Sequence, residues 1–176
     1  ASNGAIIITT KKGTKGRAKI NYNNQFSWSK AYGWPEKQDK YMNGNYGATN
    51  WYYTANYGGE NQGRWKIYDN LQAVLQTGFM QRHNLSLEAG DEKKSFRAGF
   101  SMVDQTGVVK TTDYKRNNIS VAGQAQLNKW AKVDGSMQYS RSTNTKTGMG
   151  TNGPVYRAYT WPSVDDMSVY MAPDGL

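Results

Sequence analysis

Asn84-Leu85-Ser86-Leu87-Glu88-Ala89-Gly90-Asp91-Glu92-Lys93-Lys94-Ser95-Phe96-Arg97-Ala98-Gly99-Phe100-Ser101-Met102 decides how the rest of the chain is read. Leu85, Leu87 and Ala89 alternate with Asn84, Ser86 and Glu88, and Phe96, Ala98, Phe100 and Met102 alternate with Arg97, Gly99 and Ser101. A period of two is that of a strand, with one greasy side and one wet side. A two-residue turn at Asp91-Glu92 places Leu87 across from Phe96, apolar opposite apolar.

The same pattern extends in both directions. Upstream, Ile20, Tyr22, Phe26 and Trp28 share a face interrupted only by Asn24, while Asn21, Asn23, Gln25 and Ser27 fill the other. Downstream, Ile119, Val121, Gly123, Ala125 and Leu127 oppose Ser120, Gln124 and Gln126. Then Ala131, Val133, Gly135, Met137 and Tyr139 oppose Lys132, Asp134, Ser136, Gln138 and Ser140. Apolar positions are odd-numbered on both of these strands, so the loop between them needs an odd number of residues, most simply Asn128-Lys129-Trp130. Short turns there and at Asp91-Glu92 alternate with long connections at 29–80, 103–117 and 143–176, an asymmetry of bacterial outer-membrane barrels. Within the first long connection, Ile67, Leu71, Val74, Leu75 and Phe79 fall at helical spacing with Asp69 or Asn70 as cap, which predicts one short helix. At the start, Ala5-Ile6-Ile7-Ile8-Thr9-Thr10 reads as a buried strand entering the basic turn Lys11 to Gly16.

Composition narrows the classes. Only 37% of the 176 residues are hydrophobic, which argues against a large two-sided core, yet 13% aromatic content argues against disorder. The net charge of +9 is spread over 22 Lys and Arg along the whole chain, so it forms no stripe that would point to nucleic acid. Zero Cys excludes disulfides, thiol catalysis and Cys-based zinc sites. No run of 18 apolar residues is present, which excludes a transmembrane helix and leaves a transmembrane barrel open. The chain opens on Ala1 and closes on Leu176 within a Pro/Gly-containing stretch, and reads as a piece of a longer protein.

Residues able to carry chemistry are few. Gly148-Met149-Gly150-Thr151-Asn152-Gly153 spells a GxGxxG, but it follows no parallel strand, opens no helix and is succeeded at once by Pro154, so it reads as a loop. His83 is the only histidine and reads as an interfacial or lumen-lining side chain. Asp165, Asp166 and Asp174 lack the spacing of a calcium loop. Glu88 and Asp134 face the wet side near turns and make no convergent glycosidase pair. No cofactor, metal or catalytic residue is expected. The feature with functional promise is the ring density of the first long loop. Tyr41, Tyr46, Trp51, Tyr52, Tyr53, Tyr57 and Trp65 are interleaved with Asn, Gly and Gln, a mixture suited to sugar faces or peptide side chains. Trp51, Tyr52, Tyr53, Tyr57 and Trp65 are the candidate substrate-binding residues; the competing role is loop self-packing or a membrane-interface belt.

Alternating strands also build soluble sandwiches, and the pattern alone leaves both open. The loop at 31–66, long and little periodic, favours the membrane barrel. Two segments carry a resemblance. Ala1-Ser2-Asn3-Gly4-Ala5-Ile6-Ile7-Ile8-Thr9-Thr10-Lys11-Lys12-Gly13 resembles the end of the plug domain of SusC-like TonB-dependent transporters. Thr77 to Leu87, continuing through Phe96 to Ser101 and Thr112 to Ser120, is similar to that family's first barrel hairpins. The resemblance implies a plug inside a barrel of about 22 strands, energised through the TonB complex by a region upstream of Ala1. It further implies a SusD-like surface lipoprotein as lid and an oligosaccharide or peptide as cargo. The expectation is thus an all-β chain of antiparallel up-and-down strands, about five of them belonging to a transmembrane β-barrel. Residues 1–16 would be the last plug strand and linker. Residues 17–176 would be the N-terminal part of the barrel, with external loops at about 31–80, 104–116 and 144–176. Its place would be the Gram-negative outer membrane, against lipid, with no nucleic-acid partner and no enzymatic step. The alternative is a soluble or surface-exposed carbohydrate-binding β-domain.

Overall fold

A computed structural model describes residues 16–50 and 57–171; the strand expected at Ala5–Thr10 lies outside them. Five long strands form one sheet: β1 (Gly16–Ser29), β4 (Gly78–Gly90), β5 (Lys94–Thr106), β6 (Asp113–Gln126) and β7 (Lys132–Thr145), in the order β1-β4-β5-β6-β7. Apart from a small hairpin inside the first long loop, β2 (Gly44–Asn45) with β3 (Ala48–Thr49), sequence neighbours are spatial neighbours. Each long strand has 13 or 14 residues. That is about twice the usual length and exceeds the roughly 9–11 residues a tilted strand needs to cross a bilayer.

Hydrogen bonds fix the register. The β4–β5 turn closes with the Asp91 amide donating to Lys94 O at 2.7 Å, and Glu88 meets Arg97 across the pair. Leu87 therefore falls opposite Ala98, two positions on from the expected Phe96. The reason is the Asp91 carboxylate: Oδ1 accepts from the amides of both Lys93 and Lys94, so the central turn residues are Glu92-Lys93. Parity is unchanged, so apolar still faces apolar. The β6–β7 connection has the expected three residues, with the Leu127 amide donating to Ala131 O and Asn128 Oδ1 accepting from Trp130 and Ala131. Between β5 and β6 only residues 107–112 intervene, fewer than the 104–116 expected, because the ladder continues through polar residues that show no apolar alternation. The Gly107 amide donates to Thr112 O and Asn118 reaches Ser101, which aligns Ala98 with Val121 and Phe100 with Ile119.

Contacts divide the chain into two compact units. One comprises Ala1–Phe26, Gln81–Asp104 and Lys115–Ser142; the other comprises Ser27–Met80, Gln105–Tyr114 and Thr143–Leu176. In the first, registered rows such as Leu87, Ala98, Val121 and Met137 make one continuous apolar face. That face is uncovered: Ile20 is 72% and Met137 67% exposed. Among the described residues the buried hydrophobic side chains are Met42, Leu71, Val74 and Ala158, all in the second unit.

The second unit is a knot of loops with its own small core. Helix α1 (Asn70–Val74) packs Leu71 and Val74 against Ala158 of helix α2 (Pro154–Thr160), with Leu75, Val155, Tyr159, Met167 and Met171 around them. Asp69 is the N-cap by position, without a side-chain cap bond. Ile67 precedes the helix and Phe79 belongs to β4, so the helical spacing overran both ends. The buried Asn70 side chain joins the first and third loops: Nδ2 donates to Pro162 O and Asp165 O, and Oδ1 accepts from the Met167 amide. The second loop is tied in by Gln76 N–H to Val108 O and Lys110 N–H to Val74 O.

Replacing Asn70 with Leu leaves those three backbone groups without this partner in a buried site, at a cost of about 2–3 kcal/mol. Limited proteolysis of the Asn70→Leu protein is expected to cut within residues 161–171 much faster than in the wild type; equal rates would show that the clamp does not hold the loop. Asp91 gives a pH signature. Its carboxyl is held below the usual range by hydrogen bonds from the Lys93 and then the Lys94 amide, opposed by slight desolvation. A depressed folded value means that the contribution is full above the ordinary Asp value near 3.9 and fades as pH falls through the lower one. Amide exchange at Lys93 and Lys94 is expected to speed up over that window in the wild type and to be pH-flat, after correction for intrinsic exchange, in Asp91→Ser.

Candidate functional site

The first unit turns its wet side into an amide and hydroxyl surface. Leu85, Gly99 and Phe100 border a hollow of about 320 Å³ whose polar lining is Asn21, Asn23, Asn84, Ser86, Arg97, Ser101, Asn118, Ser120 and Gln138. Alternation in each strand puts these side chains opposite the apolar rows. Asn118 Nδ2 donates to Ser101 Oγ at 2.9 Å. Arg97, the cation in this lining, is bound by Glu88 at 2.7 Å, with side chains 26% and 14% exposed. The hollow thus presents hydrogen-bond donors and acceptors with its cation paired. Its polar side suits hydrated or hydroxylated solutes. Arg97→Met is expected to cost about 2 kcal/mol by stranding a largely buried carboxylate, and Glu88→Leu with Arg97→Met to recover most of it. Thermal unfolding of the two single variants and the double one checks this; additive losses would contradict it.

In the second unit, the first loop builds an aromatic hollow. Tyr46 and Gly47, both at positive φ (50° and 78°), form the tight turn between β2 and β3. The Gly47 amide donates to Tyr57 O, Met42 N–H to Gly59 O, and Gly58 N–H to Met42 O. A Cβ at Gly58 would lie 2.6 Å from Asn43 O, so glycine permits the close approach. These constraints place Tyr41, Tyr46 and Tyr57 with Asn45 around a hollow of about 450 Å³. Lys40 pairs with Glu60 at its edge, 3.3 Å apart, which raises the lysine's pKa.

Of the substrate-binding candidates, Tyr57 lines this hollow, while Trp65 does not. The Trp65 backbone is instead bracketed by Asn61, whose Oδ1 accepts from Trp65 N–H and whose Nδ2 donates to Trp65 O. Trp51, Tyr52 and Tyr53 lie outside the described residues. Three rings that the sequence reading passed over, Trp34, Tyr156 and Tyr159, line another hollow. Tyr156 and Tyr159 at i, i+3 after a helix-starting Pro154 were the available signal.

The remaining candidates have local duties. His83 lies among the rings of the apolar face, hydrogen-bonded to Tyr22 Oη through Nδ1 at 2.6 Å and edge-on to Phe26. Asp165 accepts from Trp161 Nε1, and Asp166 caps a short 3-10 turn through Ser168, whose bonds lower its pKa. Asp174 lies outside the described residues. Contrary to expectation, the glycine-rich stretch does lead into a helix, α2, because Pro154 at its first turn has a φ preset for helix. Its glycines serve their own turn, since a Cβ on Gly153 would meet Gly148 O at 2.6 Å.

No family model matches the chain. The chain is 31% identical over 128 residues to the TonB-dependent receptor SusC of Bacteroides thetaiotaomicron. The likeness is to one segment of that receptor. It covers 69% of this chain and 12% of SusC, so the chain spans a small part of the curated relative it matches. The helices described here are too short and polar to cross a membrane, a fact that says nothing about crossing by strands.

Proposed function

We propose that this chain is part of a TonB-dependent, SusC-like transporter of the Gram-negative outer membrane, importing oligosaccharides or peptides. The observation that carries the reading is the five-stranded sheet of 13- to 14-residue strands, with one uncovered apolar face and one amide-lined face. A soluble sheet covers its apolar face with a second layer, whereas a barrel wall turns it to lipid and keeps polar groups toward the lumen. The similarity to SusC supports the same reading. The five strands would be consecutive barrel staves, β1 being the first after a plug domain, and the long connections would be external loops that receive cargo. A SusD-like lipoprotein and the TonB complex are the partners this reading implies. It requires no catalytic step, because the work comes from energised transport.

Fractionation of source cells tests the proposal. An antibody raised against residues 104–115 is expected to detect a detergent-extracted outer-membrane protein far larger than 19.8 kDa. Deleting its gene is expected to abolish uptake of one class of oligosaccharide or peptide, as would removal of TonB. A soluble band near 19.8 kDa would sink the reading and favour an independent carbohydrate-binding β-domain.

A further inference from the structure

Registered rows on the apolar face of the first unit run from Leu127 and Ala131, at the short-turn end, to Leu85, Phe100, Ile119 and Tyr139. The ladder continues past them. The same register sets His83, Met102, Asn117 and Arg141 in the next row and Gln81, Asp104 and Lys115 in the row beyond, at the end that leads into the longer connections. Polar and charged side chains thus replace aliphatic ones on the same face. At about 3.3 Å per residue along strands tilted by about 40°, the rows from Leu127 to Ile119 rise roughly 20 Å, Asn117 stands at roughly 25 Å and Lys115 at roughly 30 Å. The lipid-facing band of a bacterial barrel is about 25 Å tall, so Arg141 and Lys115 come out at headgroup level. Beside them is a ring cluster, with Tyr22 bonded to His83 and Phe26 edge-on to it, a composition suited to a membrane interface.

Arg141 lies across from Asn117 and therefore diagonal to Lys115, a separation of roughly 7–8 Å that two long side chains can close. Both side chains are exposed. Among the described residues neither is ion-paired, although Asp104 stands across from Lys115. Like charges side by side repel, and an anion placed between them turns that repulsion into charge-assisted hydrogen bonds.

We infer that Lys115 and Arg141 bind a phosphate of the outer-leaflet glycolipid, whose acyl chains lie along the apolar rows below. The inference rests on the transporter reading, which turns this face to lipid and this end outward, and it goes beyond that reading by naming the lipid. Phosphate offers several acceptor oxygens, which a guanidinium grips with two N–H groups and an ammonium meets as a point charge. A glycolipid fits better than a phospholipid because the outer leaflet of a Gram-negative outer membrane carries phosphorylated sugar headgroups. The exposed Asn117 amide, in the same row as Arg141, supplies a donor and an acceptor for their hydroxyls.

The test uses the full-length protein, extracted from its native outer membrane in mild detergent and delipidated. The probes are monophosphoryl lipid A, its dephosphorylated form, phosphatidylglycerol and inorganic phosphate, with binding followed by native mass spectrometry. The wild type is expected to bind monophosphoryl lipid A roughly tenfold or more tighter than the dephosphorylated form. Lys115→Gln with Arg141→Gln is expected to lose that difference while still binding the dephosphorylated form as before, which separates a lost phosphate contact from misfolding. Arg141→Lys is expected to keep most of the preference. Arg116→Gln removes a charge from the wet face, where Arg116 holds Asn118 Oδ1, and is expected to change nothing. Equal binding of the two lipid A forms, an unaltered preference in the double variant, an equal loss in Arg116→Gln, tighter binding of phosphatidylglycerol, or full competition by inorganic phosphate would overturn the inference. A protein that fractionates away from the outer membrane would sink the transporter reading, whereas one that resides there and fails these comparisons sinks this inference alone.

Discussion

Everything in this chain depends on how a single layer of long strands disposes of its apolar face. Registered rows such as Leu85, Phe100, Ile119 and Tyr139 lie side by side, and these side chains are uncovered or only half-covered within the described chain. Each large apolar group left in water forgoes about 1.5–3 kcal/mol relative to burial, so such a face needs a partner of its own size. Lipid meets that need without a second protein layer. It also imposes a condition that a meander satisfies in its interior, since each backbone donor and acceptor finds its mate on the neighbouring strand. The outer edges of β1 and β7 require neighbours from elsewhere, and that accords with a chain similar to a small part of a much larger receptor.

The loop unit solves the opposite problem. Its segments are rich in polar residues and could not hold shape by hydrophobic burial alone. The core of Leu71, Val74 and Ala158 is small, and Asn70 supplements it with three bonds to the backbone of Pro162, Asp165 and Met167 in the third loop. Directional polar bonds fix geometry where packing is thin. The result is a set of rings presented outward on a braced base. Aromatic side chains at such positions give up apolar burial, and ligand binding is a natural return for that loss.

The strands were legible because a period of two survives in Leu85 to Met102 and again in Ile119 to Tyr139, where one face must be apolar. Parity also predicted the three-residue turn at Asn128–Trp130. What escaped were features set by local hydrogen bonds. The carboxylate of Asp91 moved the first turn by one residue, and polar ladder residues such as Asp104 and Asp113 lengthened β5 and β6 beyond the apolar pattern. Helix α1 was predicted from spacing, yet Ile67 and Phe79 fell outside it, because a 5-residue helix spans little more than one turn. The ring-lined hollow of Trp34 with Tyr156 and Tyr159 was not readable, since its two halves are over a hundred residues apart and no periodicity links them.

Where the apolar face points is the central claim, and spin labelling of the full-length protein reconstituted in lipid addresses it directly. This chain contributes no native thiol. Single cysteines at Leu87, Val121 and Met137, each carrying a nitroxide attached before reconstitution, are expected to be relaxed by membrane-dissolved oxygen and to resist a water-soluble nickel chelate. Labels at Ser86, Ser120 and Gln138 are expected to show the reverse preference once the lumen is accessible. Protection of Leu87, Val121 and Met137 from both reagents would place that face in a protein core and contradict the account.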